Sequence, residues 1–215
     1  MKNRNTRTDN DLIITTILVF RGQDNKKYMK RIAIFASGSG SNAENIAHYF
    51  KDNSDIEVSL ILTNNSNAFV LERAKKLGIK SKIFTKQEFQ KSDEIVQFLK
   101  KNDIKWIVLS GFLLKTPQNL LQAFPNKIIN IHPALLPKYG GKGMYGDKVH
   151  KAVVENKETE SGITIHYVNE HYDEGKIIFQ AKCTVDKNDT FETVAQKVHA
   201  LEYEHFPKVI EGVVK

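Results

Sequence analysis

Three polar side chains in this sequence, Asn130, His132 and Asp173, have the types and spacing needed to move a carbonyl-bearing group onto an amine. Asn130 and His132 flank a single apolar residue in Ile129-Asn130-Ile131-His132-Pro133, so on an extended chain they share one side while Ile131 faces the other. When an amine attacks a carbonyl carbon, the oxygen gains negative charge and the nitrogen positive charge. The site then needs a hydrogen-bond donor for the oxygen and a proton carrier for the nitrogen. Asn130 suits the first task and His132 the second. Asp173 lies in the polar turn Asn169-Glu170-His171-Tyr172-Asp173-Glu174-Gly175. A carboxylate beside His132 would orient its ring, raise the imidazolium fraction and hold a water that relays protons. Glu170 and Glu174 meet that requirement equally well on sequence grounds. The bland alternatives are a structural Asn-x-His at a strand end and a solvated acidic turn.

A second feature suits an anion. Ser37-Gly38-Ser39-Gly40-Ser41-Asn42 follows the first patterned strand and opens the first helix, where unpaired backbone N–H groups and the helix dipole favour negative charge. With Ala43 it fits G-x-G-x-x-G/A, but a dinucleotide site would want an acidic residue at the end of the second strand, which reads Ile61-Leu62-Thr63-Asn64-Asn65. The serine hydroxyls and the Asn42 amide add donors for a terminal monophosphate. A tight turn that binds nothing remains the alternative. Between the two features, Lys138-Tyr139-Gly140-Gly141-Lys142-Gly143-Met144-Tyr145-Gly146 reads as a mobile loop whose two lysines could meet an anion on closing, or else as an exposed turn.

The elements that must position these residues alternate strand and helix, which predicts an α/β fold: a mostly parallel sheet with helices on both faces. Strands are expected at Arg31–Ala36, Glu57–Leu62, Ser81–Phe84, Lys105–Ser110 and Lys127–Ile131. Helices are expected near Asn42–Lys51, Ala68–Leu77, Lys86–Lys101 and Pro117–Phe124, the last capped by Thr116 with Pro117 in its first turn. Gly162–Val168 and Ile177–Val185 should add a mixed or antiparallel portion, and a helix from about Thr190 to Gly212 should follow. Asn130 and His132 then sit at the carboxyl end of a parallel strand, where open α/β sheets bind ligands.

The 215 residues suit one domain with a sizeable core. Residues 29–215 read as that unit, and residues 1–28 as an extension that is poorly ordered or not native, because Met29 directly precedes the first patterned strand. The apolar run Leu12–Phe20 is too short to span a bilayer, so no membrane partner is expected. The single cysteine, Cys183, forms no intramolecular disulfide and leaves no thiolate cage for a metal, which suits a reducing, cytoplasmic setting. The net charge of +7 is scattered and forms no basic tract with interleaved aromatics, so nucleic acid is not expected; attraction for anionic metabolites is. Monomer and homodimer stay equally open.

Taken in order, the Ser37–Asn42 turn, Ala68-Phe69-Val70-Leu71-Glu72-Arg73-Ala74, Leu109-Ser110-Gly111-Phe112, Ile129-Asn130-Ile131-His132-Pro133-Ala134-Leu135-Leu136-Pro137-Lys138-Tyr139, Gly162-Ile163-Thr164-Ile165-His166-Tyr167-Val168 and Asp173-Glu174-Gly175 resemble the phosphoribosylglycinamide formyltransferases. These are members of the folate-dependent formyltransferase family, with a Rossmann-like fold. Each motif is weak alone; their order and spacing, from Met29 to about Val214, are specific. The resemblance implies formyl transfer from 10-formyltetrahydrofolate to the amine of glycinamide ribonucleotide in purine biosynthesis, with no metal. It makes Gly40, Ser41 and Asn42 the phosphate seat, Asn130 the oxyanion donor, His132 the general acid, and Asp173 the acid that tunes it. It further implies that Asn169, Glu170, His171, Tyr172 and Asp173 line the folate pocket with Leu113 and Leu114, and that Glu202 reaches the ribose. His199 lies one helical turn before Glu202 on the same face.

Rival readings differ in what they require. A formyl-folate deformylase would carry an added regulatory domain ahead of the first strand, and a transferase acting on aminoacyl-tRNA an added domain after the last helix. A non-catalytic nucleotide-binding module would bind a phosphate ligand regardless of His132, and NAD-dependent redox chemistry lacks its acidic residue.

Overall fold

The computed structural model describes residues 29–215, so the sequence reading of residues 1–28 lies outside the described residues. The chain runs β1 (Lys30–Phe35), α1 (Ser41–Tyr49), β2 (Ile56–Thr63), α2 (Val70–Leu77), β3 (Lys80–Ile83), α3 (Lys86–Lys91), α4 (Glu94–Lys101), β4 (Ile104–Ser110), α5 (Gln118–Ala123), β5 (Ile128–His132), α6 (Asp147–Glu155), β6 (Glu160–Tyr167), β7 (Ile177–Thr184) and α7 (Phe191–Val214). These form one seven-stranded sheet in the order β3-β2-β1-β4-β5-β6-β7. Neighbours from β3 to β5 are parallel, whereas β5–β6 and β6–β7 are antiparallel. The expected mixed portion is therefore an antiparallel edge.

Strand alternation explains the two layers. Ile32 and Ile34 of β1, with Ala36 just past it, join a core with Ile46 of α1, Val70 of α2, Val153 of α6 and Val198 and Phe206 of α7. Ala33 and Phe35 face the opposite way, onto Phe89 of α3, Ile95 and Leu99 of α4 and Leu120 of α5. Both sheet faces of the central strands are thus covered, which is why their sequences are near-continuously apolar.

The structure differs from the sequence reading at three elements. The expected helix Lys86–Lys101 is two helices: Ser92 is extended, its hydroxyl donates to the Glu88 carbonyl at 2.8 Å, and its own carbonyl accepts from Asn119 Nδ2 at 3.0 Å. Thr116 does not cap α5; it is buried, and Pro117 occupies the N-cap with no side-chain bond. Helix α6 was not anticipated. It buries Val149, His150 and Val153 against the layer that holds α7.

Two local devices connect the core to the cleft at the carboxyl ends of β1, β4 and β5. Gly111 adopts a left-handed conformation (φ 62°) just past β4, and beyond it Phe112 packs with its ring centroid 5.3 Å from both Phe35 and Phe89, while Leu113 emerges into the cleft. On β6, Thr164 Oγ1 donates to the Ala134 carbonyl at 2.7 Å and accepts from Leu136 N–H at 3.0 Å, fixing the chain immediately beyond His132.

Candidate active site

A cavity of about 550 Å³ opens at these strand ends and is lined at one end by Gly40, Ser41 and Asn42 and at the other by Asn130, His132 and Asp173. The anion end is built on the N-terminus of α1. Gly40 is its N-cap in a left-handed conformation (φ 72°), and a Cβ there would lie 2.3 Å from Val70 Cγ2, so only glycine fits. The first intrahelical bond runs from Glu44 N–H to the Gly40 carbonyl, so the N–H groups of Ser41, Asn42 and Ala43 have no partner within the helix. The turn is tied into the sheet by Ser37, whose N–H donates to the Gly111 carbonyl and whose hydroxyl donates to Asn64 Oδ1 and accepts from Leu113 N–H.

Two details of this end depart from the sequence reading. The Ser37 hydroxyl is consumed inside the fold. The Asn42 amide nitrogen donates to Glu202 Oε2 at 2.8 Å, leaving buried Asn42 Oδ1 without a partner. Glu202 is 5% exposed, a carboxylate held by Asn42 and by His199 Nδ1 at 2.9 Å. The bond to Glu202 raises the pKa of His199, against the opposing effect of burial, and so favours positive charge beside the anion seat. His150, unanticipated because α6 was, also reaches the wall; it is 1% exposed and its Nδ1 has no partner.

At the other end, Asp173 is the acid beside the histidine, resolving the choice among Glu170, Asp173 and Glu174. His132 Nδ1 stands 3.5 Å from Asp173 Oδ2, and Asn130 Nδ2 stands 3.5 Å from Asp173 Oδ1. Glu170 and Glu174 are exposed. Asp173 holds a left-handed backbone conformation (φ 57°), uncommon outside glycine and tolerated by Asp. Burial would raise its pKa, but the nearby His166 and His132 rings and a hydrogen bond from Gly141 N–H at 2.9 Å outweigh it and hold the carboxyl below its ordinary range.

Asp173 raises the imidazolium fraction of His132 as expected, but burial acts against it and prevails. The ring is 4% exposed, and burial lowers its pKa more than Asp173 and the Tyr139 carbonyl raise it, so the resting ring is neutral. Its Nε2 lies 2.7 Å from the Tyr139 carbonyl, which can only accept, so the single proton sits on Nε2 and the Nδ1 lone pair faces Asp173.

The first part of the glycine-rich segment, Lys138 to Gly141, is docked. Besides the Tyr139 and Gly141 bonds, Lys138 Nζ and the Tyr139 hydroxyl both donate to Glu158. Lys138 is thereby turned away, while Lys142 lines the cavity. Of the expected folate-pocket residues, Leu113, Tyr172 and Asp173 line it; Leu114 packs toward the core, and Asn169, Glu170 and His171 lie outside the lining. His171 instead pairs with Glu170 on the surface and donates its N–H to Asn169 Oδ1. Sequence reasoning also passed over His166, which pairs in register with Asn130 across β5–β6. Its only signal was that Gly162, Thr164 and His166 share the strand face that looks onto Asn130 and His132.

A mostly parallel sheet covered on both faces, with an anion-binding turn after β1 and an amide, imidazole and carboxylate meeting past β5, defines an α/β group-transfer enzyme. The family profile described as "Formyl transferase" matches residues 30–210. The phosphoribosylglycinamide formyltransferase of Bacillus subtilis is 37% identical over 86% of this chain and 95% of its own length; the chloroplastic enzyme of that name from Arabidopsis thaliana is 41% identical over 89% and 68%. The structure of glycinamide ribonucleotide transformylase 1 from Geobacillus kaustophilus superposes with a TM-score of 0.79 at 32% identity, covering 87% of this chain and all of that one. The chain belongs to the formyl transferase family, among the phosphoribosylglycinamide formyltransferases. Among the described residues no helix is long and apolar enough to cross a membrane, and no cluster of three or more His, Cys, Asp or Glu side chains could hold a metal.

Proposed function

We propose that this chain transfers the formyl group of 10-formyltetrahydrofolate to the amine of 5-phosphoribosylglycinamide, the step of purine biosynthesis that yields formylglycinamide ribonucleotide. The observation that carries this reading is one cavity with an anion seat at one end and Asn130, His132 and Asp173 at the other. A ribotide phosphate on the Gly40–Asn42 N–H groups, near His199, whose positive charge Glu202 favours, would direct its ribose toward Glu202 and its amine toward Asn130 and His132. The folate would enter past Leu113 and Tyr172.

In the reaction the neutral amine nitrogen bonds to the formyl carbon, and the carbonyl electron pair moves to oxygen. Asn130 presents the amide N–H that is only weakly engaged by Asp173 to that oxyanion. His132 takes the proton released by the amine on its free Nδ1, where Asp173 stabilises the resulting imidazolium. As the bond from carbon to the folate nitrogen breaks, the same proton passes to that nitrogen, so no oxidant, reductant or net proton is required. The free amine, with a model α-amino pKa of about 7.7 to 8, must be unprotonated to attack, so turnover is expected to favour mildly alkaline pH.

The test is to incubate the protein with 10-formyltetrahydrofolate and follow loss of the formyl group with and without glycinamide ribonucleotide. Loss that depends on the ribotide and yields formylated ribotide is the expected result. Equal loss without it would make the chain a deformylase.

A further inference from the structure

We propose that His166 is a positioning residue that fixes which end of the Asn130 amide serves the reaction, by acting as a hydrogen-bond acceptor locked in one tautomer. The proposal rests on the formyl-transfer reading and adds to it a residue outside the Asn130–His132–Asp173 group.

His166 is 2% exposed and sits opposite Asn130 in the β5–β6 register. Its Nδ1 lies 2.8 Å from the carbonyl of Tyr167. A carbonyl oxygen can only accept, so Nδ1 carries the proton, and in a neutral ring Nε2 is left as a lone pair. That lone pair lies 3.1 Å from Asn130 Nδ2, the side-chain donor of the amide. A primary amide can rotate to exchange its oxygen and nitrogen, and only its partners decide which is where. Here the exchanged orientation would set Asn130 Oδ1 against the His166 lone pair and beside the Asp173 carboxylate, which stands 3.5 Å from the present nitrogen. Two acceptor–acceptor contacts in a buried site disfavour it strongly. The opposite tautomer, with Nε2–H directed at Asp173, would span 3.7 Å and forfeit the 2.8 Å bond to Tyr167.

The chain itself guards this arrangement. A Cβ on Gly175 would fall 1.6 Å from the Tyr167 carbonyl oxygen and 3.3 Å from His166 Nδ1, so the backbone after Asp173 closes directly over the locking bond. One Asn130 N–H is thereby spent on His166. The other, held only by the long contact to Asp173, stays on the side where His132 Nδ1 faces the same carboxylate. An oxyanion forming there meets a donor already turned toward it, and no amide rotation is needed during the reaction.

The experiment uses the full chain and has two readouts. Ring ¹⁵N spectra of the unliganded wild-type protein should show a proton on His166 Nδ1 and a lone pair on Nε2; a proton on Nε2 overturns the proposal. This readout is independent of turnover, so it also holds if ribotide-dependent transfer fails and the functional reading falls alone. In steady-state assays, His166→Phe should lower kcat by about tenfold, a part of the roughly 10² to 10³ that a lost oxyanion donor costs, with the ribotide KM within about threefold. His166→Gln, whose Oε1 can accept from Asn130, should recover kcat to within about threefold of wild type. Equal losses in the two variants, or no loss in His166→Phe, would contradict the assignment.

Discussion

The two ends of the cavity are built on opposite plans. The anion end is largely local: the consecutive residues Phe35–Ala43, running from strand through turn into helix, supply a left-handed glycine and a row of N–H groups with no partner in the helix. Its long-range ties are the buried Glu202 that Asn42 and His199 hold and the Ser37 bonds to Asn64, Gly111 and Leu113. The chemical end is wholly non-local. Asn130 and His132 come from β5, His166 from the antiparallel strand beside it, Asp173 from the loop beyond, and the Tyr139 carbonyl and Gly141 N–H from the glycine-rich segment. Backbone dipoles at a helix end suffice to hold an anion, whereas charge that appears and moves during a reaction requires side chains whose tautomers and orientations are fixed by several partners.

This division predicts different consequences for damage at each end. The largest should come from Asn130→Ala and His132→Ala, each lowering kcat by roughly 10² to 10⁴, the range for losing an oxyanion donor or an acid–base group. Rates within about fivefold of wild type in both would remove the chemical end from the account. Asp173→Asn should reduce kcat by about 10 to 100-fold. Because the Asp173 charge raises the His132 pKa against burial, its removal should also move the His132 titration, followed by ring NMR, to still lower pH. A midpoint that rises instead would mean that Asp173 does not face the ring as a carboxylate.

At the anion end, Gly40→Ala forces a left-handed alanine into Val70 and should destabilise the fold by about 1 to 3 kcal/mol in denaturant titrations. It should raise the ribotide KM more than it lowers kcat. The opposite split would place the phosphate elsewhere.

A smaller effect concerns acid stability. His132 and His150 are pushed down, first of all by burial, and Asp173 is held down by its histidine neighbours and Gly141, so at a given pH each binds fewer protons folded than unfolded. Their stabilisation is therefore present above their unfolded values, about 6.5 for His and 3.9 for Asp, and is lost as pH falls through those values toward the lower folded ones. His199, raised by Glu202, works in the opposite sense: its stabilisation is complete below about 6.5 and is lost as pH rises through its folded value. Unfolding free energy should decline from pH 7 to pH 4, and His132→Gln should flatten the upper part of that decline. A decline unaltered in that variant would contradict burial of a neutral ring.

How much of this could be read from sequence follows the same division. Every strand lies within two residues of its expected place, since alternation and near-continuous apolar runs are local signals. The Gly40 turn and the Asn130–His132 pair were legible for that reason. The break at Ser92 depends on Asn119, distant in sequence, and helix α6 hides behind a glycine-rich stretch with only Val149, His150 and Val153 facing inward. The neutrality of His132 and the acceptor role open to His166 follow from burial and cross-strand pairing, which no spacing rule records. Residue chemistry alone left Asp173 level with Glu170 and Glu174; the family resemblance singled it out, and the loop folded against β5 sets Asp173, and neither glutamate, beside His132.

The division of labour within one cavity is tested most directly by calorimetric titration of His132→Ala with glycinamide ribonucleotide. The affinity should stay within about threefold of wild type although turnover is lost. A tenfold or greater weakening would show that ribotide binding and chemistry are not carried by separate ends of the cleft.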